Sequence, residues 1–127
     1  MARANIGINL GTAPPPLREG TMIVERLVFQ AKYGQGDALV ELFREWSKNF
    51  GAQIGLSAGR LYTDATGRMF TINVEIEHAD LEAYAAATRA EASMFSTAEF
   101  RDWFERMEAV VEHGEKQLFN VDSLAIA

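Results

Sequence analysis

The chain has no cysteine among its 127 residues. That excludes a disulfide framework, a thiolate metal site and a cysteine nucleophile. Its two histidines are few for a metal centre, and no metal is expected. Basic charge is also scarce: 12 Lys and Arg against 18 Asp and Glu leave a formal net charge of -6 and a pI near 4.9. A surface of that sign neutralises neither nucleic-acid phosphates nor anionic lipids, so no nucleic-acid and no membrane partner is expected. No apolar run approaches the roughly 18 to 20 residues needed to span a bilayer. Near the start, Ile6, Ile8 and Leu10 are interrupted by Asn5, Asn9 and glycines. This falls short of the continuous apolar core of a secretory signal, and a cytoplasmic location is expected. There is no nucleophile elbow, phosphate loop or zinc-ligand spacing, so the chain carries no catalytic signature and no cofactor is expected.

What is present is a regular alternation of elements. Pro14, Pro15 and Pro16 cannot donate backbone hydrogen bonds and hold the chain extended, so residues 1–20 read as a flexible leader and 21–127 as one domain. From Met22 to Lys32, Ile23, Leu27, Phe29 and Ala31 share one side, with Glu25 intruding, while Val24, Arg26, Val28, Gln30 and Lys32 take the other. That period of two predicts a strand with one apolar face. Leu39, Leu42, Phe43, Trp46 and Phe50 then recur at helical spacing, with Asp37 placed as N-cap and Gly51 as the stop. A hairpin follows, Ala58–Thr63 and Arg68–Glu77, around the turn Asp64-Ala65-Thr66-Gly67. A four-residue loop would set Thr63 opposite Arg68, Leu61 opposite Phe70 and Arg60 opposite Thr71. It also puts Leu61 on the face of Phe70, Ile72, Val74 and Ile76.

Asp80 is placed to cap a second helix carrying Leu81, Tyr84 and Ala85. Ser96 followed by Glu99 is a capping-box spacing, so this helix should break near residues 93–96 and resume with Phe100, Phe104, Met107 and Val111. Gly114 would end it, and Gln117–Val121 would form a last short strand. The order βαββαβ predicts an α+β fold, a four-stranded antiparallel sheet with its helices on one face. A chain of this length buries only about two thirds of its unfolded surface, which favours a homodimer.

This order, the broken second helix and the run Ser96-Thr97-Ala98-Glu99-Phe100-Arg101-Asp102-Trp103-Phe104 resemble the dimeric α/β-barrel superfamily of ferredoxin-like fold, in its NIPSNAP-like form. The resemblance spans about Met22 to Asp122. It implies two copies packed sheet to sheet with helices outside, and ligands held between sheet and helices or inside the barrel. The superfamily includes cofactor-free antibiotic-biosynthesis-type monooxygenases, haem-degrading enzymes and small-lactone isomerases, so no one chemistry follows. Trp103 and His113 do not match the Asn, Trp and His constellation of the haem-degrading members, and those roles are not carried over.

The strand face turned away from the helices is the candidate site. Alternation sends Arg26, Val28, Gln30, Arg60, Tyr62, Thr71, Asn73 and Glu75 there. Among these, Arg26, Arg60, Tyr62, Asn73 and Glu75 are the expected ligand-binding residues. Arg26 or Arg60 would bind an anion, and Tyr62 would supply a donor or a stacking face. The competing use of this face is a polar dimer interface. Glu75, Glu77, His78 and Asp80 are metal-capable, but His78 points away from Glu75 and Glu77, and Asp80 is used as a cap. His113 falls in a last helical turn, where a donor complements the helix end. Trp46 and Trp103 read as core. The function expected is a small dimeric protein that binds a small organic ligand without catalysis. The alternative is a cofactor-independent monooxygenase or isomerase for an aromatic or lactone-like molecule, with Arg60, Tyr62 or Asn73 orienting it and His78 or His113 as the histidine bases.

Overall fold

A computed structural model describes residues 21–124 apart from residue 57. The proline-rich leader of the sequence reading, and the last three residues of the domain it outlined, lie outside them. The elements are β1 (Ile23–Ala31), α1 (Gly36–Trp46), β2 (Gly59–Thr63), β3 (Thr71–His78), α2 (Leu81–Ala92), α3 (Ala98–Val110) and β4 (Val111–Asn120). They form one antiparallel sheet in the order β2-β3-β1-β4. This is the α+β, ferredoxin-like arrangement that the element order predicts. No helix among the described residues is long and apolar enough to cross a membrane.

Strand alternation decides what the helices cover. On β3, Ile72, Val74, Ile76 and His78 are buried while the residues between them are not. Against this face α1 sets Leu39, Val40, Leu42, Phe43 and Trp46, and α3 adds Phe100 and Trp103. The Trp103 indole Nε1 donates to the Leu42 carbonyl at 2.7 Å, tying α3 to α1 while satisfying the only polar atom of a buried ring. Both tryptophans are core residues, as expected.

The structure moves several boundaries. Asp37 is not the N-cap: α1 begins at Gly36 after Gln35, without a side-chain cap, and Asp37 sits in the first turn, where its charge complements the helix dipole. Gly51 is not the stop either. Residues Ser47–Gly51 make a wider π-helical turn and Ala52–Ile54 a tighter one. The run ends at Gly55, which at φ 83° takes the left-handed conformation that favours glycine.

The hairpin pairs Thr63 with Ile72, Leu61 with Val74 and Arg60 with Glu75, a longer loop than the four residues predicted. Phe70 adopts φ 62°, and the Asp64 carboxylate accepts from the Thr71 backbone N–H at 3.2 Å. These contacts keep residues 64–70 out of the ladder. The slide is by an even number of residues, so Leu61 still shares a face with Ile72, Val74 and Ile76.

Asp80 does cap α2, accepting from the Ala83 N–H at 2.7 Å. For α3 the cap is Thr97, one residue beyond Ser96. Gly114 does not end a helix. α3 stops at Val110, β4 begins at once, and Gly114 lies opposite Phe29, where a Cβ would come within 2.7 Å of the Phe29 ring. The glycine serves close approach of ring to backbone. His113 accordingly stands in β4 opposite Gln30, not in a helical turn.

Candidate functional site

The covered face of the sheet holds two buried polar side chains. Alternation from Ile23 and Leu27 turns Glu25 inward, and alternation from Val74 and Ile76 does the same for His78. Glu25 is 8% exposed and His78 5%. The β1–β3 register sets Ile23 opposite His78 and Glu25 opposite Ile76, so the two polar side chains meet diagonally. His78 Nε2 lies 3.0 Å from Glu25 Oε1. From the other neighbouring strand Lys116 brings its Nζ to 3.5 Å from Glu25 Oε2 and donates to the Tyr84 hydroxyl of α2 at 3.4 Å. The Tyr84 and His78 rings meet edge to face, centroids 5.3 Å apart.

Electrostatics follow from this packing. Burial pushes the Glu25 carboxyl up, but the His78 hydrogen bond and the Lys116 charge outweigh it and hold Glu25 below its ordinary value. Burial also works against the Lys116 ammonium, yet the Glu25 charge and the Tyr84 hydroxyl hold it above its usual range. Glu91 of α2 goes the other way: burial and the nearby Glu25 charge raise it.

These groups open onto a cavity of about 720 Å³ between the sheet and the helices, walled by Leu27, Phe29, Phe43, Trp46, Val74, Ile76, Phe100 and Trp103, with Phe95 and Phe104 on α3 and the turn before it. The cause is legible in α2. This helix has no fully buried residue and faces the cavity with Ala87 and Thr88, side chains too short to fill the space to the sheet. The result is an apolar pocket with a few converging polar groups, the usual form of a small-molecule site. A buried imidazole with one nitrogen held by a carboxylate can take a proton through the other.

The residues expected from the sequence stand on the opposite face. Arg26 and Glu75 pair through Nη2 and Oε2 at 2.6 Å, and the Tyr62 hydroxyl donates to Glu75 Oε1 at 3.1 Å. The Arg26 guanidinium also covers the Phe119 ring at 4.7 Å. Arg60 is opposite Glu75 in the ladder but makes no ion pair among the described residues. Asn73 keeps its Oδ1 buried and without a partner; with Tyr62, Gln30 and His113 it lines a concavity on this face. Three of the five are thus brought into one network, and Arg60 stays apart. Among the described residues no cluster of three or more acidic, His or Cys side chains is placed to hold a metal. Of the inner groups the sequence names only His78, as a candidate base of the alternative reading; for Glu25, its interruption of an apolar stripe was the available signal.

No protein-family model matches the chain, and no curated protein does. Solved structures do. A NIPSNAP family protein from Agrobacterium tumefaciens superposes with a TM-score of 0.63 at 17% identity, covering 77% of this chain and 90% of that one. An uncharacterized NIPSNAP domain protein from Burkholderia xenovorans gives 0.60 at 13%, covering 83% and 99%. SnoaB, a cofactor-independent oxygenase from Streptomyces nogalater, gives 0.60 at 14%, covering 83% and 97%. At such identities the likeness concerns backbone architecture. Together with the sheet order, it shows that the chain has the ferredoxin-like α+β fold that these structures share.

Proposed function

We propose that the chain binds a small, largely apolar, ring-bearing organic molecule between its sheet and helices α2 and α3, and that Glu25 and His78 act on it as a proton-accepting pair. The observation that carries this reading is the buried imidazole–carboxylate contact of 3.0 Å at the wall of an otherwise aromatic and aliphatic cavity. Burying such polar groups costs stability, and polar groups of this kind in a cleft are candidates for chemistry. In this reading Glu25 accepts the Nε2–H of His78, fixing the tautomer, and leaves Nδ1 as the basic atom. Removing a proton from a phenol or an activated carbon gives an anion that reacts with dioxygen or is reprotonated elsewhere. These are the reaction classes of a cofactor-independent monooxygenase and of an isomerase. The likeness to SnoaB favours the first.

A thermal-shift screen of two- and three-ring phenols, ketones and amines tests the cavity, and turnover of the hits tests the pair. His78→Ala should keep binding and lose turnover. Hits bound without any turnover would return the protein to a binding module, and an absence of hits would remove the site.

We further propose a homodimer through the outer sheet face, which no helix among the described residues covers. It exposes Tyr62 beside the Arg26–Glu75 pair and offers Arg60, without an ion pair among the described residues, to the second copy. A monomer by light scattering at micromolar concentration would end this proposal. Ligand binding at Arg26, Arg60, Tyr62, Asn73 and Glu75 is tested by repeating the screen with aromatic acids on Arg60→Ala.

A further inference from the structure

We propose that the molecule held in the cavity carries a protonated amine, its ammonium against the Glu91 carboxylate and its apolar body among Phe95, Phe100 and Phe104. This rests on the cavity being the ligand site and is independent of any chemistry at His78. Two carboxylates at the cavity wall are treated differently by the fold. Glu25 is answered by His78 and Lys116. Glu91 lines the same cavity, and its carboxylate has no hydrogen bond or ion pair among the described residues.

The charges around it make an anion an unsuitable guest. The wall carries Glu25, Glu91, Glu105 and Glu108 against Arg101 and Lys116, and Lys116 is already engaged with Glu25. A carboxylate ligand would meet repulsion, whereas an ammonium would complete Glu91 with a charge-assisted hydrogen bond. Burial and the Glu25 charge raise the Glu91 carboxyl, and the Lys116 charge, shared with Glu25, offsets them only in part.

Beside Glu91 are the aromatic rings that suit the rest of such a molecule. Phe95 is 51% exposed and Phe104 37%, although both line the cavity. Phe95 packs on Phe100 with centroids 5.0 Å apart, and Phe104 stacks on the same ring at 6.2 Å. Ring faces next to a carboxylate attract an organic cation through their quadrupole as well as its hydrocarbon through burial.

Calorimetric titration of the full chain at neutral pH with naphthaleneethylamine, naphthaleneethanol and naphthaleneacetate separates charge from shape. The amine should bind at least about tenfold more tightly than the alcohol, the scale of one charge-assisted hydrogen bond, and the acid most weakly. Glu91→Gln should abolish the advantage of the amine and leave the affinity for the alcohol in place. Glu105→Gln should leave the advantage intact, which distinguishes contact with Glu91 from a diffuse negative field. Equal or tighter binding of the alcohol or acid, or an advantage that survives Glu91→Gln, would overturn the inference. If none of the three binds while other ring compounds do, this inference falls and the proposed function stands; if no ring compound binds, both fall.

Discussion

The two faces of one sheet carry the same kind of contact, a carboxylate against a basic side chain, in opposite surroundings. On the outer face the Arg26 and Glu75 side chains are 37% and 20% exposed. On the inner face those of His78 and Glu25 are 4% and 10% exposed. Water and salt screen the outer pair, and exposed pairs of this kind contribute about 0 to 1 kcal/mol. The Glu25 carboxylate of the inner pair has left water behind, a penalty of several kcal/mol before any attraction is counted. Similar residue chemistry is therefore surface furniture on one side and an expensive feature on the other. The difference directs attention to the inner face, where Glu25 and His78 border the cavity.

The sharpest way to break that comparison is to remove one member of each pair. His78→Ala leaves Glu25 buried with Lys116 alone and should cost about 3 kcal/mol, the upper end for losing a hydrogen bond to a charged group, in urea denaturation. Replacing both Glu25 and His78 by leucine should recover part of that loss, because no buried carboxylate remains and Lys116, its side chain 43% exposed, keeps water and the Tyr84 hydroxyl. If His78→Ala costs no more than Arg26→Ala, burial is not what separates the two faces.

Next in size is Gly114→Ala, expected to cost about 1 to 3 kcal/mol as an overpacked contact, since the new Cβ would sit 2.7 Å from the Phe29 ring. An unchanged midpoint would mean that Phe29 yields freely and that the inner face is loosely packed there.

Glu91 gives a pH-dependent test. Its carboxyl is raised above the ordinary 4.5 in the fold, so the native state binds more protons than the unfolded chain, and stability falls as pH rises from 4.5 through the raised value. Glu91→Gln should therefore raise the melting temperature at pH 7, with the gain vanishing below pH 4.5. Glu25 has the opposite sign: lowered in the fold, it contributes stability above 4.5 that is lost as pH falls through its native value. A Glu91→Gln gain that is the same at pH 4 and pH 7 would contradict this assignment. The smallest effect belongs to Arg26→Ala, expected below about 1 kcal/mol and measured against the same baseline.

How much of this was readable beforehand depended on whether the information was periodic or relational. The faces of β1 and β3 follow from alternation alone, because a side chain's side of the sheet is set by its position modulo two. The caps at Asp80 and near Ser96 were readable for a similar reason: they are local hydrogen bonds between residues three apart. Gly114 misled because glycine serves both as a helix stop and as a point of close approach, and only the ring of Phe29, distant in sequence, shows which use applies. The hairpin register misled because Phe70 takes a left-handed backbone that no periodic pattern announces.

By itself the sequence determined the α+β class, the order βαββαβ, the acidic cysteine-free character and which residues of β1 and β3 turn inward, all matters of composition and local period. Tertiary structure alone decided that Glu25 and His78 meet across two strands, that Lys116 reaches them from a third, and that Glu91 shares their cavity while its carboxylate makes no hydrogen bond or ion pair among the described residues. Sequence spacing cannot carry these facts, since they depend on register between distant segments and on the space that the short side chains of α2 leave above the sheet.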